Sequence, residues 1–216
     1  MSDRAVFPLR YAVGAALCLV VGGCQALQMG NPLLPKARLL ATPNTSVTEV
    51  KITATGIGSL GSPTFRTEEP QPLEFTLRPF PCDLTPGVRI NAYAVDWFDQ
   101  NGSPIAGSII PSRTQGVGLY LAKGVGAGNC GSGGGAGAAE QKVTVPVVTN
   151  PVIDFGINNG FVQSARTKEI LIRQEAWPQF LTGKVTFSGR DDNGNPLENV
   201  AAFFTLKYTL SSQATN

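Results

Sequence analysis

Apolar and polar residues alternate in several short runs of this chain, and this alternation limits its fold more than any other feature. In one run Val50, Ile52 and Ala54 are separated by charged or hydroxyl side chains. A period of two places every second side chain on one face of a β-strand, whereas a helix needs a period near 3.6. The sequence therefore predicts an all-β protein, an antiparallel sandwich. Comparable runs lie at residues 73–77, 143–147, 170–172 and 204–210.

Two turns of nearly the same sequence separate predicted strands. Residues 99–105 read DQNGSPI and residues 191–197 read DDNGNPL. Asn-Gly supplies the positive-φ positions that a tight hairpin needs, and proline begins the next strand where its missing N–H does least harm. We expect hairpins with Gly102 and Gly194 at positive φ. A calcium-binding loop is the alternative for Asp191–Asn195, but the later bidentate glutamate of an EF-hand is missing.

These strands and turns resemble bacterial immunoglobulin-like and transthyretin-like modules over residues 46–112 and 181–210. The resemblance implies a β-sandwich domain at residues 46–149. Residues 150–216 would then form a second small module, or further strands that complete the first sandwich. Few residues follow the second turn, so a complete second sandwich is doubtful.

The amino-terminal segment has the layout of an export signal. Arg4 and Arg10 precede an apolar run at residues 11–21. A bilayer span needs roughly 20 apolar residues, so this run is too short to be one. A buried core helix is the alternative, but glycines and a proline-containing stretch follow at once.

The end of that apolar run reads VGGC at residues 21–24, which resembles the lipobox of bacterial lipoproteins. The resemblance implies that residues 1–23 are a signal peptide and that Cys24 is lipidated. Residues 24–45 would then be a proline-containing tether. Gln25, where an aspartate would favour the inner membrane, implies the outer membrane if the cell has one. The alternative is an ordinary secretory signal with a chance cysteine.

Two cysteines, Cys82 and Cys130, remain beyond Cys24 in the exported chain. In an oxidising compartment an isolated pair indicates a disulfide, and closing a loop of this length stabilises a fold by roughly 4 kcal/mol. Two free thiols are the alternative.

The composition argues against most catalytic chemistry. The chain has no histidine, which excludes His-based triads, Cys-His dyads and His-ligated metals. Residues 126–131 fit G-x-G-x-x-G, but more glycine and alanine follow instead of the helix that a dinucleotide site requires. We therefore expect no enzyme, cofactor or metal. A carboxylate-dependent hydrolase is a remaining alternative.

Charge and aromatic residues complete the functional prediction. With 17 basic and 15 acidic residues, the chain lacks the electrostatic footprint of a nucleic-acid-binding protein. Trp97 and Trp177 are candidates for stacking on a ligand, and core packing is the alternative for both. We expect a lipid-anchored, non-catalytic envelope protein that acts as a binding or structural module for a protein or glycan partner. A carbohydrate-binding module is the alternative function.

Overall fold

The computed structural model describes residues 36–59, 61–68, 70–79, 86–122, 140–173, 177, 179–198 and 200–212. Cys24, Cys82 and Cys130 lie outside this part of the chain. The lipidation and disulfide predictions therefore stay predictions. The G-x-G-x-x-G segment at residues 126–131 also lies outside it.

Strands account for nearly all regular structure in these residues, which confirms the all-β prediction. One helix, α1 (Asn150–Gly160), interrupts them. The strands are β1 (Leu39–Pro43), β2 (Val47–Ile57), β3 (Pro63–Glu68), β4 (Leu73–Pro79), β5 (Val88–Phe98), β6 (Arg113–Leu121), β7 (Gln141–Val145), β8 (Phe161–Gln163), β9 (Ile170–Ile172), β10 (Phe180–Asp191) and β11 (Ala201–Ser212).

The larger sheet has six strands in the order β3-β2-β11-β10-β5-β6. β10 lies at its centre and pairs antiparallel with both β11 and β5. The expectation of a purely antiparallel sheet is wrong at one place, because β11 runs parallel to β2 with Tyr208 opposite Val50. Most of the chain connects these two strands, so no hairpin turn imposes an antiparallel direction on them.

A three-stranded sheet, in the order β1-β4-β7, packs against the inner face of the larger one. Phe75 of β4 is fully buried, and its ring centroid lies 5.8 Å from that of Phe187 and 6.3 Å from that of Phe204. The alternating apolar residues thus point inwards from both sheets and form the core. β1 lies within residues 24–45, the segment predicted to be a tether.

The helix α1 was not predicted from the sequence. It begins after Thr149 with a proline in its first turn, as helices often do. Tyr208 donates a hydrogen bond from its hydroxyl to the Val152 carbonyl oxygen at 2.6 Å, which ties α1 to β11. Within the described residues, no helix combines the length and the apolar character needed to cross a membrane.

Both predicted hairpin turns are present with positive φ, 78° at Gly102 and 80° at Gly194. The prediction that proline begins the next strand is wrong, because Pro104 and Pro196 form only isolated bridges and the next strands begin at Arg113 and Ala201. The backbone hydrogen bonds of the two turns match. The Asp99 N–H donates to the Ser103 carbonyl oxygen at 2.9 Å, and the Asp191 N–H donates to the Asn195 carbonyl oxygen at 2.9 Å. The shared sequence therefore encodes one turn geometry used twice.

Candidate functional site

The two tryptophans proposed for ligand stacking are both buried in the core. Trp97 is 5% exposed and packs edge-on against Phe204, with ring centroids 5.5 Å apart. Trp177 is 8% exposed, and its ring centroid lies 5.9 Å from that of Tyr208. A ligand could stack on either indole only by displacing its core neighbours.

The Asp191 carboxylate stabilises the second hairpin turn and joins it to the segment before β1. The buried Asp191 accepts hydrogen bonds on Oδ1 from the Asn195 N–H at 2.8 Å and on Oδ2 from the Asn195 amide at 3.2 Å. Oδ2 also accepts a hydrogen bond from the Ala37 N–H at 3.1 Å, which joins the segment before β1 to this turn. The described ranges contain no group of three or more acidic or cysteine residues placed to hold a metal ion.

A β-bulge interrupts the pairing of β5 with both of its neighbours. Towards β10 the pairing changes from Ala92 opposite Ser188 to Ile90 opposite Gly189, which leaves Asn91 as the extra residue. The alternation of faces shifts there, since Ile90 and Tyr93 are both buried. Bulges of this kind reorient side chains and are frequent beside functional sites.

The bulge borders a shallow, solvent-open depression of about 490 Å³ on the outer face of the large sheet. Its polar groups are the guanidinium of Arg89, the amide of Asn91 and the phenol of Tyr120. Gly118 leaves the floor open, because a β-carbon there would meet no atom within 4 Å. Ile90 and Leu119 complete the lining.

Two arginines occupy opposing register positions on neighbouring strands, and one of them lines this depression. Arg190 of β10 lies opposite Arg89 of β5 in the register, and both side chains are exposed. Like charges directly opposite one another destabilise a sheet. Local contacts offset part of this cost, since the Arg89 guanidinium carbon lies 5.8 Å from the Tyr120 ring centroid and Arg190 donates to the Gly194 carbonyl oxygen at 3.3 Å.

Tyr120 is held at the edge of the depression by the second turn. Its hydroxyl donates to Asp192 Oδ2 at 2.9 Å, and the Asp192 N–H donates to the Gly87 carbonyl oxygen at 2.8 Å. The hydrogen bond to Asp192 raises the pKa of Tyr120 above its usual value, and desolvation and the carboxylate charge act in the same direction. The single phenol hydrogen is therefore committed to the Asp192 carboxylate.

Guanidinium and amide donors beside an open depression are suited to binding an anion. No pattern in the sequence alone points to Arg89, Asn91, Tyr120 or Arg190. Gly189, just before the second turn in residues 181–210, was the available signal, because a glycine within a strand often marks a bulge. Which arginines would lie opposite each other depends on the strand order, and that order was not predictable from local patterns.

Comparison with known proteins gives little further information about the chain. No family model and no curated protein matches it. Among solved structures it is similar to the Pseudomonas fluorescens alkylpurine DNA glycosylase AlkC bound to DNA containing an abasic site analog, with 14% identity and a TM-score of 0.29. The match covers 93% of this chain and 41% of that one, so the chain spans about two fifths of the glycosylase's length.

This match is to an enzyme bound to DNA, and it stands against three predictions made from the sequence. These are the function as a lipid-anchored, non-catalytic envelope module, the absence of enzymatic activity, and the absence of a nucleic-acid partner. The exclusion of nucleic acid rested on net charge, which averages over the chain and does not register a local pair such as Arg89 and Arg190. The likeness is itself too weak to assign the glycosylase's fold, reaction or ligand to this chain.

Proposed function

We propose that the protein binds an anionic ligand with phosphate-like groups in the depression lined by Arg89, Asn91 and Tyr120. The observation that carries the proposal is the opposition of Arg89 and Arg190 on neighbouring strands. An anion bound beside these strands would reduce the local excess of positive charge and accept charge-assisted hydrogen bonds from the arginines.

The rigidity of the bulge supports this proposal. Gly189 lies so close to Arg89 that a β-carbon at position 189 would lie 1.9 Å from the Arg89 carbonyl oxygen, and Arg89 also pairs with Tyr120 of β6 on the other side. The arginine backbone is therefore in place before the ligand arrives. A preorganised site loses less conformational entropy on binding than a flexible one.

Calorimetric titration with inorganic pyrophosphate at low salt tests the proposal. Arg89→Gln and Arg190→Gln should each weaken binding by about tenfold or more, because each removes a charge-assisted hydrogen bond. Arg78→Gln is the matched control, since this exposed arginine lies on β4 in the other sheet. Undetectable binding by the unmodified protein, or an equal loss in the control, would contradict the proposal.

The sandwich is proposed to be of the immunoglobulin-like or transthyretin-like type. Two face-to-face sheets around one core and the repeated hairpin turns support this assignment. The parallel pairing of β2 with β11 departs from the purely antiparallel pattern that was expected. An experimental structure in which the strand connections differ from both types would contradict it.

The chain is also proposed to be exported and lipidated at Cys24, and to reside in the outer membrane where the cell has one. The VGGC motif after a short apolar run supports this location. Mass spectrometry of the membrane-extracted protein should show an acylated cysteine at the new N-terminus. A mature chain that begins elsewhere would contradict the proposal, as would a Cys24→Ala variant that fractionates like the unmodified protein.

A further inference from the structure

Two phenylalanine side chains are exposed on the same outer face as the arginine pair. Phe180 of β10 is 43% exposed and Phe203 of β11 is 58% exposed. Their chain neighbours Leu181 and Phe204 are buried, so the strand alternation directs both rings away from the core. Neither ring is needed to fill the sandwich.

Each of these rings lies directly opposite a lysine. Phe203 pairs with Lys184, and Phe180 pairs with Lys207. Acidic groups moderate this positive charge, since Glu49 lies 4.0 Å from the Lys207 ammonium and Asp96 lies opposite Lys184. Each of the strands β10 and β11 thus carries one of the two rings and one of the two lysines.

The aromatic residues and the arginine pair lie on the same face of the large sheet, on β10 and its two neighbours. From Phe180 to Arg190 this strand extends over about 33 Å at the usual rise of 3.3 Å per residue. Lys184 lies between the two ends and faces both Phe203 and Asp96. A ligand that reached the arginines could therefore contact the aromatic rings through an extended, flexible body.

We infer that this face binds a single-stranded nucleic acid, with bases stacked on Phe180 and Phe203 and a phosphate held near Arg89 and Arg190. The inference rests on the proposed anion site and names its ligand. Unpaired bases stack on exposed aromatic rings of a sheet, and neighbouring cationic side chains bind the backbone phosphates. A small free anion would leave both rings without a role, and a duplex would hide its base faces.

Fluorescence anisotropy with a labelled single-stranded oligonucleotide of about 12 nucleotides tests the inference. Phe180→Ala and Phe203→Ala should each weaken binding by about tenfold, as the loss of one stacked base predicts. Val162→Ala is the control, because Val162 is similarly exposed, at 44%, but lies on β8 outside the large sheet. All three side chains are exposed, so unchanged melting temperatures should confirm that the variants fold.

Pyrophosphate binding by the same variants separates the two proposals. Phe180→Ala and Phe203→Ala should bind pyrophosphate like the unmodified protein. If pyrophosphate binds but the oligonucleotide does not, the inference is wrong and the anion site stands. Failure of both ligands overturns both proposals.

Two further ligands test the preference for a single strand. A duplex of the same length should bind more weakly, and equal affinity would overturn the stacking model. Vesicles containing phosphatidylglycerol should not compete with the oligonucleotide. Vesicle binding that depends on Phe180 and Phe203, in the absence of oligonucleotide binding, would overturn the inference in favour of a lipid surface.

Discussion

Gly189 and Arg89 approach so closely across β10 and β5 that a β-carbon at position 189 would lie 1.9 Å from the Arg89 carbonyl oxygen. The Gly189 carbonyl oxygen also accepts a hydrogen bond from the Leu197 N–H at 3.0 Å, which links the bulge to the second hairpin. This contact fixes the backbone of the arginine on which the anion site depends.

Gly189→Ala should therefore destabilise the domain by about 1–3 kcal/mol, because the new methyl group collides with backbone rather than with a movable side chain. Thermal or urea unfolding measures the change. Gly107→Ala is the control, since a β-carbon there meets no atom within 4 Å and its φ is not positive. If Gly189→Ala unfolds like the control, the close approach of the two strands is not present in solution.

The two matched turns should respond alike to a β-branched residue at their positive-φ glycine. Gly102→Val and Gly194→Val should each lower the free energy of unfolding by about 1 kcal/mol or more, because valine disfavours this region of backbone conformation. Equilibrium denaturation of both variants is the measurement. A Gly102→Val protein as stable as the unmodified one would show that the first turn does not hold this conformation.

The residue after each glycine should distinguish the two turns. Asn195 is 2% exposed and donates to the buried Asp191 carboxylate, whereas Ser103 is exposed. Asn195→Ala should cost about 1–3 kcal/mol, because it removes a hydrogen bond to a buried charged group, and Ser103→Ala should cost little. Equal melting temperatures for the two variants would contradict the buried role of Asn195. The sequence alone predicts two interchangeable turns, because it does not show that Ala37 covers the second one.

Acidification should weaken the ion pair that joins β4 to β7. The hydrogen bond from Lys142, 2.8 Å from Glu74 Oε1, lowers the pKa of the Glu74 carboxyl below its usual 4.5. A lowered folded-state pKa stabilises the protein above about pH 4.5, and this contribution is lost as the pH falls through the lowered value.

Melting temperatures measured between about pH 7 and pH 3 at low salt test this pH dependence. Glu74→Gln should lose less stability on acidification than the unmodified protein. The difference will be small, because the pair is exposed to solvent. Glu169→Gln, an exposed glutamate before β9, is the control. A Glu74→Gln profile that is parallel to the unmodified one would show that this pair contributes nothing.

The sequence predicts local features of this fold better than its long-range ones. Alternation identified the strands around Phe75 and Leu206, and Asn-Gly identified both turns, because each signal depends on neighbouring residues. The parallel partnership of Val50 with Tyr208 joins residues from opposite ends of the chain, and no local pattern encodes it. Helix α1 was missed because its short sequence contains two glycines and has little helical periodicity.

The same limit applies to the candidate site. Trp97 and Trp177 drew attention as large aromatic residues, yet the folded chain uses both to fill its core. Arg89 and Arg190 look like isolated surface charges in the sequence and become neighbours only when β10 pairs with β5. The depression is thus a product of strand order and of one bulge.

Anion binding beside the β5 bulge is tested most directly by a nuclear magnetic resonance titration of the ¹⁵N-labelled protein with pyrophosphate. We expect saturable shifts in the backbone amides of Asn91, Gly118 and Tyr120 and in the side-chain N–H groups of Arg89 and Arg190. Amides of the small sheet, such as that of Arg78, should stay in place. Absence of saturable shifts at the depression, or saturable shifts confined to another surface, would contradict the account.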